Sequence, residues 1–241
     1  MLGQYPIRWL GYTAAHSSLV REGGTLDWGL VHAYTPLFVT ALRVTLMVSA
    51  GGVAAALVVG LLVAIVRLWH VPVLDQLSIA YVEVARNTPS LVQLFFLYFG
   101  LPKLGILLSQ EACAIVCLAF LGGGYMAEAF RAALVAVPPI QHESAQVLGL
   151  TRRQAMRHVV LPQAMAQATP ALVANVVFLV KESSVVSGIA LADLMYVAKD
   201  IIGQSYDTVE ALFLLVVAYA IILLPISAVG SAIERRFAYE R

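Results

Sequence analysis

Lys181 and Glu182 stand side by side near the middle of the apolar run from Pro170 to Ala192. An ammonium and a carboxylate in such a setting complement the two charges of a zwitterion, and Ser183 and Ser184 follow as adaptable hydrogen-bonding groups. Ionisable side chains inside a hydrophobic span carry function by default. The structural alternative is that the two pair with each other, cap a helix break or sit at the outer surface. Gln93, Tyr98, Tyr125 and Glu128 add polar contacts from two neighbouring apolar segments. Glu128 and Arg131 are also spaced i,i+3, which favours a structural ion pair on one helix face. Cys113 and Cys117 are four apart and face the same way on a helix. Small packing residues are the reading for this pair, ahead of a metal or disulfide role. No nucleophile–base arrangement and no metal-ligand cluster stands out, so no catalytic residue is assigned.

A second set of charges lies in one polar island, Val137 to Gln163, between apolar runs. Pro138 and Pro139 can open a helix but not sit in its interior. Glu143 falls in the first turns after them, where a negative charge suits the helix N-terminus. Gly149 stands where a C′ glycine would end that helix. Thr151 and Gln154 form a T-x-x-Q capping box for a second short helix, which carries Arg152, Arg153 and Arg157 and is expected to stop near Pro162. Two short helices around a glycine make a rigid knob suited to a groove on a partner.

The elements that hold these groups are hydrophobic. Of 241 residues, 61% are apolar and 12% charged, half the charged share of an ordinary soluble domain, about 25%. No basic tract with interleaved aromatics is present, which disfavours nucleic acid as a partner. The expected architecture is an all-α membrane protein with five transmembrane helices in a lipid bilayer. The first span lies between Arg43 and Arg67, 23 uncharged residues, enough for a hydrocarbon core about 30 Å thick. Within it Gly52, Ala56 and Gly60 put small residues on one face for close helix packing. Residues 67–86 read as an amphipathic helix. The segment between Arg86 and Lys103 is a short or tilted second span with Pro89 and Pro102 near its ends. The third span covers about 106–127 and contains Gly122, Gly123 and Gly124, which imply close packing or a kink. Thr169 and Pro170 look like the N-cap and first residue of the fourth span. The fifth runs over 211–233, with Pro225 as a kink. Residues 1–35 are read as an extracytoplasmic or interfacial segment presenting Tyr5, Trp9 and Tyr12, and 36–241 as the membrane domain. With the N-terminus outside and the C-terminus inside, nine Lys and Arg face the cytoplasm against six outside, as the positive-inside rule prefers.

The spacing Glu143-Ser144-Ala145, Gly149, Val159-x-Leu161-Pro162 resembles the coupling-loop (EAA) motif of ABC importer permeases. Ser144 stands where that pattern prefers alanine, and Val159 where it prefers isoleucine. The segments 85–102, 122–134 and 161–189 are similar to one branch, the polar amino-acid permeases of the histidine/glutamine/arginine/glutamate type. The resemblance covers residue 36 to the end. Its departures include Asn87 for a usual glycine, Pro139 near a usual glycine-glutamine pair, and Glu182 for aspartate. Asn87 is therefore added to the candidate substrate contacts.

The resemblance implies a type I importer permease (MetI-like) fold. It implies a second permease subunit, identical or related, two ATP-binding cassette subunits and an extracytoplasmic amino-acid-binding protein. Glu143, Ser144, Ala145, Gly149, Leu150, Arg153, Leu161 and Pro162 would couple to the ATPase. No G-x-x-x-x-G-K-[ST] phosphate loop occurs in the chain, so ATP and magnesium would belong to a partner, and no cofactor is assigned here. A secondary transporter would be expected to show inverted repeats, and none is evident. A membrane scaffold would not need charges midway along the fourth span.

Overall fold

The computed structural model describes residues 26–69 and 71–238. The interfacial reading of Tyr5, Trp9 and Tyr12 falls outside them. The described residues form nine α-helices: α1 Trp28–Leu68, α2 Leu74–Asn87, α3 Ser90–Phe95, α4 Gln110–Ala136, α5 Pro139–Val147, α6 Arg152–Ala155, α7 Leu161–Glu182, α8 Leu194–Ser205 and α9 Thr208–Ala238. Four helical runs are long and apolar enough to cross a membrane: Trp28–Leu68, Gln110–Ala136, Arg152–Ile189 and Thr208–Phe237. Ser90–Leu104 is a shorter apolar run. The five expected segments are all present.

The helix α1 begins at Trp28, well before the expected first span. Asp27 caps it, its side chain accepting from the Gly29 amide. Its 41 residues extend about 60 Å at 1.5 Å per residue, twice the hydrocarbon thickness. The extra length is held by contacts remote in sequence. Tyr34 OH donates to Asp207 Oδ2 at 2.6 Å, and the Asp27 amide donates to Glu210 Oε1 at 2.9 Å. Val31, Tyr34, Phe38 and Ala41 bury against Leu194, Ile201 and Ala211 of α8 and α9.

The lower half of α1 packs on α4 through small residues, as the four-residue spacing predicts. A Cβ on Gly60 would lie 2.4 Å from Met126 Cβ and 2.9 Å from the Ala127 amide nitrogen, so the two backbones approach too closely for any side chain there. The Gly122–Gly124 run does not break α4. Gly122 faces Ala56 and Leu179, and Gly123 faces Val59 and Tyr81. That second space lets Tyr81 OH reach the Phe120 carbonyl at 2.8 Å, seating α2 on α4.

Two expectations about proline are corrected. The second short helix does not stop at Pro162. A π-helical turn over Met156–Val160 gives the Leu161 amide to the Met156 carbonyl, five residues back, and Pro162 then sits in the first turn of α7. The wider turn relieves the clash that a proline imposes on the carbonyl four residues earlier. A matching π turn at Phe96–Gly100 precedes Pro102. Thr169 and Pro170 lie inside α7 rather than at its start. Thr169 Oγ1 donates to the Met165 carbonyl at 2.8 Å, an intrahelical bond and not a cap. Pro225 likewise lies within α9.

Beyond α7 a 3-10 segment, Ser183–Ile189, leads to Asp193, the buried N-cap of α8. Asp193 Oδ1 accepts from the Tyr196 amide at 2.8 Å, while Oδ2 has no partner. Burial pushes this carboxyl up to about 6, against backbone hydrogen bonds that pull it down. A folded-state value above the ordinary one means that the folded chain binds the proton more tightly than the unfolded chain. Stability from this group is therefore full below pH 4 and is lost as pH rises towards 6. Acidification from pH 7.5 to 4.5 should stabilise the native chain relative to Asp193→Asn, by at most about 3 kcal/mol at 1.36 kcal/mol per unit. Melting of both proteins in one detergent at the two pH values measures this; a constant gap between them would contradict it.

Candidate functional site

A cleft of about 390 Å³ opens where α2 ends and α3 begins. Arg86, Asn87, Thr88, Pro89, Ser90 and Leu91 line one side, Leu121 and Tyr125 of α4 the floor, and Phe178 and Glu182 of α7 the other side. The volume suits a small ligand. The chain leaves helix at Thr88–Pro89, where Pro89 is extended with φ −56° and ψ 133°. A proline cannot continue α2, and it biases Thr88 towards extended backbone. The short second apolar segment, Ser90–Leu104, therefore begins at this break, and the amphipathic α2 leads into the cleft. Leu121 and Tyr125 stand near the midpoint of the 27-residue α4, so the break lies at mid-bundle depth. Non-helical backbone at that depth is tolerated where it lines a cavity.

The cleft holds one cation and one anion. Arg86 lies over the Tyr125 ring, its guanidinium carbon 5.1 Å from the centroid. Glu182 Oε1 accepts a hydrogen bond from Ser90 Oγ. The Ser90 carbonyl in turn faces Cys117 Sγ at 3.5 Å. Cys113 and Cys117 are both free and buried in α4. Among the described residues no group of three or more His, Cys, Asp or Glu is placed to hold a metal.

Of the candidate substrate contacts, Asn87, Tyr125 and Glu182 line this cleft. The others do not. Gln93 is buried and its amide donates to the Ala85 and Thr88 carbonyls at 2.9 and 3.0 Å. It satisfies carbonyls that the end of α2 would leave bare. Tyr98 packs edge-on against Phe99. Glu128 is held by Arg131, whose Nε donates to both its oxygens, and by Arg67 Nη1 at 3.3 Å. Arg67 also approaches Asp75 at 4.0 Å, so the cluster ties α1, α2 and α4 together. Lys181 is exposed. Ser183 Oγ donates to the Val180 carbonyl at 2.8 Å, and Ser184 lies in the 3-10 segment beyond Glu182.

The caps of the polar island have the expected form, although Glu143 lies in the middle of α5 rather than in its first turn. Pro138 is the N-cap and Pro139 the first residue of α5. At its end the Gly149 amide donates to the Gln146 carbonyl at 2.9 Å, and the Leu150 amide to the Ala145 carbonyl at 3.0 Å, the two bonds of a Schellman cap. Gly149 has φ +76°, which glycine adopts without penalty. Thr151 and Gln154 cap α6 reciprocally. Glu143, Ser144, Arg153, Leu161 and Pro162 are exposed, Ala145 is buried and Leu150 half-buried. Val147 and Leu148, on the outside of the cap, are 87% and 78% exposed. Val137, Val160 and Ala164 form the small core that fixes the knob to α7.

Residues 56–239 match the family model for the binding-protein-dependent transport system inner membrane component. The chain belongs to this family. It is 32% identical over 214 residues to the probable amino-acid permease protein YxeN of Bacillus subtilis (strain 168), covering 88% of this chain and 96% of that protein. It is 30% identical over 212 residues to the glutamine transport system permease protein GlnP of Escherichia coli (strain K12), covering 87% and 97%. In the crystal structure of an amino acid ABC transporter with histidines, one chain superposes with a TM-score of 0.82 at 35% identity, covering 88% of this chain and 99% of that one. The expected permease fold and multi-pass membrane location are those of this family.

Sequence reasoning missed Arg86, Ser90 and Phe178 in the cleft and Val147 and Leu148 on the knob. The proline break after Arg86 was the available signal for the first two. Gln93→Leu should destabilise the protein by about 1–3 kcal/mol, because two buried carbonyls lose their donor. Lys181→Ala, at an exposed side chain, should stay within about 0.5 kcal/mol of native. Thermal melts in detergent read both; equal melting of Gln93→Leu and the native protein would contradict the assignment.

Proposed function

We propose that this chain is the pore-forming permease of an ATP-driven importer for a polar amino acid. The observation that carries this reading is one helical run, Arg152–Ile189, with the capped knob at one end and Glu182 of the cleft near the other. The names of the relatives and of the solved transporter support amino acid as cargo. A second permease copy or relative completes the pathway, an extracytoplasmic binding protein delivers substrate, and two ATPase subunits hold ATP and magnesium.

The knob from 137 to 163 faces the cytoplasm and docks on the ATPase. Removing Arg86, now in the cleft, from the nine cytoplasmic charges still leaves eight against six, so the positive-inside preference stands. Val147 and Leu148 supply an apolar contact, and Glu143 and Arg153 flank it with charge. Closure of the ATPase pair displaces the knob. The helix from Arg152 transmits that displacement to Glu182, on one wall of the cleft, while Arg86 and Ser90 on the other wall belong to α2 and α3. The walls shift relative to each other and the bound amino acid changes its exposure from one side to the other. Arg86 receives the substrate carboxylate and Glu182 its ammonium.

Glu143→Lys and Gly149→Asp should each abolish uptake and reduce ATPase co-purification, with the permease still inserted at native levels. A Cβ on Gly149 would meet no atom within 4 Å, so the effect of aspartate comes from the left-handed backbone and the added charge at the docking face. Normal uptake by either variant would contradict the coupling role.

A further inference from the structure

Among the described residues, Arg86 and Glu182 are the only charged ones that line the cleft. An amino acid carries one α-carboxylate and one α-ammonium, so its backbone consumes both. Any charge on its side chain would then sit at mid-bundle depth without a counter-charge from the lining, an arrangement that desolvation opposes strongly. The cations near the cleft are already engaged or turned away: Arg67 and Arg131 hold Glu128, and Lys181 is exposed and does not line it.

The remaining polar lining residues are neutral, and Asn87 is the distinctive one. Its amide nitrogen donates to the Glu83 carbonyl and to Glu83 Oε2, both at 2.8 Å. Those two bonds use both amide protons. That leaves Oδ1, a neutral acceptor, as the Asn87 atom free to meet a ligand in the cleft it lines, while one oxygen of the Glu83 carboxylate is held by the same amide. Around it stand Tyr125, Phe178, Leu121 and Leu91, which suit the apolar part of a side chain.

We propose that the cleft selects amino acids whose side chains are uncharged and carry a hydrogen-bond donor, and that Asn87 sets this preference. The proposal rests on the reading of the cleft as the substrate site. A side-chain amide or hydroxyl meets the Asn87 carbonyl oxygen. An acidic side chain would meet an acceptor and no cation. A basic side chain would meet a neutral oxygen, because Glu83 itself does not line the cleft.

The test is equilibrium binding of radiolabelled glutamine, glutamate and arginine to the assembled transporter in lipid nanodiscs at pH 7, with the external binding protein left out so that its own selectivity does not intervene. The native complex should bind glutamine at least tenfold more tightly than either charged amino acid. Asn87→Asp adds a carboxylate to the lining and should move the arginine-to-glutamine ratio at least tenfold towards arginine. Asn87→Gly should weaken glutamine without improving glutamate. Equal affinity for the three ligands in the native complex would overturn the proposal, as would an unchanged ratio in Asn87→Asp. The native panel decides the charge class even where Asn87→Asp fails to assemble. Arg86→Gln and Glu182→Gln separate the two layers of the argument. Loss of all three ligands in both upholds the cleft as the site, and retention of binding in both overturns the cleft itself.

Discussion

From Arg152 to Ile189 the backbone stays helical although Pro162 and Pro170 each remove a hydrogen-bond donor. The rest of the mechanism depends on that continuity. About 30 residues separate the knob from Glu182, roughly 45 Å of helix at 1.5 Å per residue. A hinge at Pro162 would let the knob move without moving the cleft. The π turn at Met156–Val160 keeps the backbone hydrogen-bonded up to the proline, through a bond from the Leu161 amide to the Met156 carbonyl. The knob is also fixed sideways, since Val137 at the end of α4 buries against Val160 and Ala164.

A moving helix needs a fixed frame. The glycine-mediated contact of α1 with α4 provides it, and the Arg67–Glu128–Arg131 cluster locks the same pair near one end. Close backbone packing of this kind replaces the hydrophobic driving force that helices lack in lipid. The second span is different in character. Its break at Thr88–Pro89 exposes backbone at mid-bundle depth, and Gln93 stabilises that break from within. The cleft lies where the broken span, α4 of the rigid pair and the long lever meet.

Features set by neighbours in sequence were legible from it. The cap at Gly149, the Thr151–Gln154 box, the small face at Gly52, Ala56 and Gly60, and the five apolar segments all depend on local chemistry. The start of α1 at Trp28 was not legible, because its early turns are held by partners such as Asp207 and Glu210, far along the chain. Proline rules failed at Pro162 and Pro170 for a physical reason: a π turn or a packed bundle can carry a helix past a residue that would stop an isolated one. Lys181 and Glu182 adjoin in sequence, yet adjacent helical residues point about 100° apart. Only Glu182 lines the cleft, and its cationic counterpart, Arg86, comes from α2.

The central claim is that the run from Arg152 to Glu182 acts as one lever between knob and cleft. Distances between spin labels at the exposed positions Arg157, Lys181 and Val92 test it in the assembled transporter, with and without ATP trapped on the partner ATPase. Arg157 and Lys181 lie on the lever, and Val92 lies on α3 across the cleft. The lever account predicts that the Arg157–Lys181 distance stays constant while the Lys181–Val92 distance changes. A change in the first with none in the second would show that the helix bends below the cleft and would contradict the account.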